Sequence, residues 1–137
     1  MDLELKEKTV FITGSTAGIG FATAKALLSE GAIVIINGRT SASVEAAINR
    51  LEQTFPNETI TGISADFSKQ NEVNSLLENL PKIDILINNV GVYSSGSFFK
   101  TEDAEWYRQF EVNVMSGVRL SRIILPSMLA NNWGRIL

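Results

Sequence analysis

The stretch that decides the fold is "VFITGSTAGIG" at residues 10–20. An apolar run leads into a turn carrying Gly14, Gly18 and Gly20, and "FATAKALLS" follows with helical spacing. An apolar run, a glycine turn and a helix together open a β–α unit. Each glycine has its own task in such a turn. One permits the sharp reversal, one lets backbone approach a ligand, and one lets helix pack close to sheet. The start of the helix then offers free N–H groups and the positive end of its dipole, which suits a phosphate. The spacing is G-x-x-x-G-x-G, a variant of the dinucleotide fingerprint G-x-G-x-x-G. No Lys-Ser/Thr pair follows the last glycine, which argues against a nucleoside-triphosphate loop. The plain alternative is a tight strand-to-helix turn that holds nothing.

Outward from the turn, the same alternation recurs. "TVFI" (9–12), "AIVII" (32–36), "TITGISA" (59–65) and "IDILI" (83–87) read as strands. Most of these runs are apolar or β-branched throughout, as strands buried on both faces of a parallel sheet require. Helices are predicted over 18–29, within 41–54, and after Ser68 as N-cap, with Val73, Leu76, Leu77 and Leu80 on one face and Pro81 as the stop. A fourth helical region opens at Thr101 and runs to about Ala130, with a kink or break at Pro126. "GRIL" (134–137) starts a fifth strand. This order predicts an α/β fold: a Rossmann-type doubly wound parallel sheet with right-handed crossovers. The sheet is expected to be incomplete, ending in the fifth strand. Ligands of such sheets sit outside the carboxyl ends of the strands, where strand order reverses.

Composition narrows the chemistry. The 137 residues suit a single dinucleotide-binding domain, with no internal linker or repeat. Apolar residues make up 45% and charged residues 20%, as in globular chains. The net charge of −3 argues against nucleic acid or an anionic membrane as partner. There is no cysteine, which excludes disulfides and thiol nucleophiles. There is no histidine, which removes the commonest general base and metal ligand, and no metal site is expected. No apolar stretch reaches the length of a membrane span. The N-terminal "MDLELKEK" is acidic where a signal peptide is basic. A soluble cytoplasmic protein is the expectation.

Taken with the motifs that follow, Thr13-Gly14-x-x-x-Gly18-Ile19-Gly20 resembles the short-chain dehydrogenase/reductase family. "NNVG" (88–91) resembles that family's N-N-A-G, and "NVMSG" (113–117) its helical asparagine motif. The resemblance implies an NADP(H)-dependent oxidoreductase that moves hydride between nicotinamide and a small carbonyl or alcohol substrate. It assigns Gly14, Ser15, Thr16, Gly18, Ile19 and Gly20 to the cofactor phosphates. It places Asn89, Val90 and Gly91 on the adenosine side, with Asn88 bracing neighbouring backbone. Asn113 takes a catalytic part, its carbonyl holding a water linked to the family's lysine. Without the resemblance, "NN" is an ordinary strand-end turn and Asn113 a mid-helix polar residue.

Two further stretches bear on the cofactor. In "ADFS" (65–68), Asp66 can accept a hydrogen bond from an adenine amino group, completed by the Phe67 backbone. It can equally cap the turn into the third helix with Ser68. In "NGRT" (37–40), Gly38 stands where an acid would bind a ribose 2′-hydroxyl. Arg39 follows, and arginine makes charge-assisted, forked bonds to phosphate. Thr40 adds a hydroxyl. NADP(H) is favoured, and NAD(H) stays open; a solvated surface arginine is the alternative.

The family's proton-transfer pair is Y-x-x-x-K, with a substrate-orienting serine. Here Tyr93 is followed four residues on by Ser97, and Tyr107 by Glu111. Neither makes the pair, and the serine, tyrosine and lysine are expected beyond the fifth strand. Tyr93 lies in "GVYSSGSFF" (91–99), a loop expected to face a substrate pocket, apolar near Phe98 and Phe99. A complete form is expected to be a homo-oligomer. The competing function is a non-catalytic dinucleotide-binding module that associates with a partner.

Overall fold

The structure is a computed structural model, and it describes residues 3–137. The first two residues of the N-terminal stretch discussed above lie outside the described residues. In chain order the elements are β1 (Thr9–Ile12), α1 (Gly18–Ser29), β2 (Ile33–Gly38), α2 (Ser41–Glu52), β3 (Ile60–Ser64), α3 (Gln70–Asn79) and β4 (Ile85–Ile87). A single 3-10 turn (Phe98–Lys100) precedes α4 (Asp103–Phe110), a π-helical segment (Glu111–Met115), α5 (Ser116–Ala130) and β5 (Arg135–Ile136).

Alternation along β1 divides the core in two. Val10 and Ile12 pack on one face of the sheet and Phe11 on the other, all fully buried. The first cluster joins them to Ala24 and Leu28 of α1 and to Val44, Ala47 and Leu51 of α2. The second joins Phe11 to Val73 and Leu76 of α3 and to Leu120, Ile124 and Met128 of α5. Helices on both faces explain why β1 carries no polar residue between Val10 and Ile12.

The sheet is parallel throughout, in the order β3-β2-β1-β4-β5. Val10 of β1 stands opposite Val34 of β2 and Ile85 of β4. The chain steps outward from β1 to β3, then returns to the other side of β1 for β4 and β5. Strand order therefore reverses between β1 and β4. The α/β doubly wound expectation holds, and the reversal fixes where the site lies.

Several local expectations change. β3, the least apolar of the four runs, is an outer strand with Thr61, Gly62 and Ser64 exposed. Lys69, not Ser68, is the N-cap of α3, with no side-chain cap. Ser68 is drawn back instead to Asp66, whose Oδ1 accepts from its N–H at 2.9 Å and its hydroxyl at 2.7 Å. Leu80 leaves the helix in an extended conformation yet still packs on the second cluster. The fourth helical region starts at Asp103 rather than Thr101, and α5 continues through Pro126 to Ala130 without a break.

Candidate functional site

The glycine turn leaves β1 at Ile12 and enters α1 at Gly18. Gly14 has φ +61° and Gly18 φ +57°, a region that side-chain-bearing residues rarely adopt. Around this turn, one hydroxyl gathers two strand ends. Thr13 is fully buried, and its Oγ1 donates to the Ile87 carbonyl at 3.3 Å. The same oxygen accepts from the N–H groups of Asn89 and Val90, each at 2.9 Å. The Asn89 amide donates to the carbonyls of Thr13 (3.0 Å) and Gly14 (2.9 Å). The turns after β1 and β4 are thus tied together.

The bracing expected of Asn88 is carried by the Asn89 side chain. Successive residues at a strand end point to opposite sides. Asn89 meets the glycine turn, while the Asn88 side chain stands beside Gly117, where an added Cβ would meet it at 3.4 Å. The Asn88 backbone N–H donates to the Leu137 carbonyl at 2.9 Å.

A second knot ties the turn to β2 and β3. Buried Asn37 accepts from the Gly14 N–H at 3.0 Å and donates to the Ile63 carbonyl at 3.1 Å. Its own N–H donates to Ser15 Oγ at 2.9 Å, and Ser15 Oγ donates to the Ile12 carbonyl at 2.7 Å. The Ser15 hydroxyl therefore faces inward, away from any ligand. Gly20 is buried beneath this assembly: a Cβ there would lie 2.7 Å from the Gly14 carbonyl oxygen.

Above the strand ends lies a cleft of about 490 Å³. Of the residues singled out from sequence, it brings together Gly14, Thr16, Arg39, Asp66, Phe67, Asn89, Val90 and Gly91. Gly18 and Ile19 lie outside its lining but are exposed, and a Cβ on Gly18 would meet nothing within 4 Å. The N-terminus of α1 has no side-chain cap and no acid in its first turn. A phosphate thus has room and free donors there.

The same cleft carries charge. Asp66 is half-buried, which opposes its ionisation. The two hydrogen bonds from Ser68, with Lys69 and Arg39 nearby, outweigh this and hold its carboxyl below the ordinary value. Both bonds use Oδ1, so capping the turn leaves Oδ2 available. Arg39 is exposed at the end of β2. A side chain at Gly38 would press on Ser43 Oγ at 3.0 Å and still harder on the Thr16 methyl, so an acid does not fit without rearrangement. Thr40 lies outside the lining. Its Oγ1 accepts from the Ser43 N–H at 3.2 Å and caps α2.

Asn113 also lies outside the lining and clamps the loop after β4. Its Oδ1 accepts from the Val92 N–H at 2.7 Å, and its Nδ2 donates to the Val92 carbonyl at 2.9 Å. It sits mid-way in the π-helical segment, where the Ser116 N–H reaches back to the Glu111 carbonyl. Such segments recur at functional sites, and nothing in the local composition marks this one. Tyr93 does line the cleft. Phe98 and Phe99 do not: they are 75% and 93% exposed, and the Phe98 ring meets Trp106 edge-on at 6.4 Å. Sequence gave no notice of Thr13 and Asn37 as hubs. Glu105 reads from sequence as an acid suited to the start of the fourth helix, and its gathering of Ser94, Arg108 and Gln109 beside the loop has no sequence signal.

Reversed strand order over a glycine turn defines the Rossmann-type α/β class. The chain belongs to the short-chain dehydrogenase family, whose model matches residues 8–137. It is 51% identical over 140 residues to YvrD, an uncharacterised oxidoreductase of Bacillus subtilis, a match covering all of this chain and 52% of the relative. It is 33% identical over 137 residues to the D-beta-hydroxybutyrate dehydrogenase of Cupriavidus necator, covering 97% of this chain and 52% of the relative. Among solved structures it resembles L-sorbose reductase from Gluconobacter frateurii in complex with NADPH and L-sorbose. That likeness has a TM-score of 0.89 at 31% identity and covers 99% of this chain and 53% of the other. The chain spans about half the length of the curated relatives it matches.

Proposed function

We propose that residues 1–137 form one dinucleotide-binding unit that holds NADP(H) for a short-chain oxidoreductase. The observation that carries this is a single cleft that brings the glycine turn together with Arg39 and Asp66. Gly14, Thr16, Gly18, Ile19 and Gly20 shape the phosphate seat at the uncapped start of α1, and Ser15 holds that seat from within. Asp66 takes the adenine amino group, the Phe67 backbone completes the contact, and Asn89, Val90 and Gly91 wall the adenosine. Arg39 pairs with the 2′-phosphate, and Thr40 orders the start of α2 beside it. When bound, the dinucleotide supplies or accepts the hydride.

Asn113 holds the loop that carries Tyr93, and its carbonyl takes part in the proton path of the whole enzyme. The substrate class is a small carbonyl or alcohol, and the whole protein works as a homo-oligomer. NADPH in the sorbose reductase complex, and NADP in a 3-oxoacyl-(acyl-carrier-protein) reductase of Agrobacterium tumefaciens with TM-score 0.87, support the choice of cofactor. The 137 residues contain no Y-x-x-x-K, so the activity expected of them alone is binding.

Fluorescence titration with NADPH and NADH tests this. The folded chain is expected to bind NADPH more tightly than NADH. Arg39→Ala is expected to weaken NADPH by about 1.5 kcal/mol, the low end for a charged hydrogen bond because the guanidinium is exposed. NADH affinity is expected to stay unchanged. A folded chain that binds neither dinucleotide sinks the proposal; equal affinities sink the role given to Arg39.

A further inference from the structure

Arg108 belongs to no motif, yet the fold sets it in the cleft with Asp66, Val90 and Val112. It stands on α4, within electrostatic reach of Asp66. Its Nε donates to Glu105 Oε2 and its Nη2 to Glu105 Oε1, each at 2.8 Å. A two-point fork fixes the plane of a guanidinium as well as its position. Glu105 is itself held by the Ser94 hydroxyl and by Gln109 Nε2 at 3.1 Å. An exposed pair one helical turn apart adds little to helix stability. The same network ties Ser94 of the loop after β4 to α4 and leaves the Arg108 guanidinium fixed in the cleft lining.

Phe67, Val90 and Val112 give the cleft apolar lining alongside its polar and charged residues, Asp66 and Arg39 among them. A flat aromatic base entering there meets aliphatic carbon on one side and the held guanidinium at the rim. Arginine planes stack on aromatic faces by cation–π attraction. We propose that Arg108 is an adenine-binding residue, its Glu105-held guanidinium laid against the base of the dinucleotide. Glu105 is then a positioning residue that acts through Arg108. This rests on the dinucleotide reading above and adds a contact that no motif assigns.

The test titrates the wild-type chain, Arg108→Ala, Arg108→Lys and Glu105→Gln with NADPH, NADH and 5′-AMP. Circular dichroism and unfolding midpoints check the folding of each variant. Arg108→Ala is expected to weaken all three ligands by one common factor of about three- to thirtyfold. Arg108→Lys recovers only part of the loss, because an ammonium has no plane to stack. Glu105→Gln falls between wild type and Arg108→Ala. Unchanged AMP affinity in Arg108→Ala overturns the proposal. So does a loss confined to NADPH, or full rescue by lysine, since either makes the contact a charge on phosphate. Wild-type chain that binds neither dinucleotide overturns the cofactor reading and this proposal with it. Normal NADPH binding by Arg108→Ala overturns this proposal alone.

Discussion

Thr13 shows how much one hydroxyl can organise. It accepts two backbone N–H groups from the turn after β4, 76 and 77 residues along the chain, and donates to Ile87. Thr13→Val keeps the shape and removes the oxygen. The Val90 N–H then loses its acceptor, at a cost of about 1–3 kcal/mol, while the Asn89 N–H keeps the Ile87 carbonyl at 3.1 Å. The valine methyl offsets part of this, and a net loss of about 1 kcal/mol is expected in urea unfolding. Glu105 offers a separate test. Its hydrogen bonds to Arg108 and Ser94 lower its carboxyl from 4.5 to about 2. A lowered folded-state value means that these contacts stabilise fully above about pH 4.5 and are lost as pH falls toward 2. A carboxyl NMR titration is expected to show Glu105 titrating well below the ordinary glutamate range, with loop 91–97 loosening over the same range. None of this could be read along the chain. Gly14 and Asp66 stand out in sequence through motif-like stretches and Arg39 through the missing acid at Gly38, and all three line the cleft, whereas the partners of Thr13, Asn37 and Arg108 exist only once distant segments meet.

Elements were legible where packing repeats along the chain. α1 matches its expected span because Gly18 opens it, and Ala24 and Leu28 recur on one face. The start of α3 was misplaced because Asp66 takes the hydroxyl that would have capped it. The π-helical segment has no compositional signature, since it differs from its neighbours only in which carbonyl each N–H reaches. Pro126 leaves α5 whole because one missing N–H does not outweigh the burial of Ile124 and Met128 on the core face. Gly20→Ala probes the junction of α1 with the turn. Alanine gains at most about 1 kcal/mol of helix propensity. Its methyl must displace the Gly14 carbonyl and the Asn89 amide, and overpacking of this kind costs about 1–3 kcal/mol. The clash wins, and chemical unfolding is expected to show a less stable chain with weakened dinucleotide binding.

The whole molecule is two apolar layers sharing one sheet, and the sheet order places the cleft between them. Leu120 of α5 is fully buried in the layer that also holds Phe11, Val73 and Leu86. Leu120→Ala is expected to cost about 2–5 kcal/mol in urea unfolding, a large share of a domain's stability. Because that layer backs the cleft through Phe67 and Val112, the same variant should bind dinucleotide less well even where it remains folded. The bonds from Thr13 and Asn89 join the two strand ends. On the proposed function, a dinucleotide docks on strand ends that the chain's own bonds hold together. On the proposed function, Arg39 in the lining draws the anionic phosphates while Glu105 neutralises Arg108, so the association rate should fall as salt is added while the intrinsic shape of the seat stays the same.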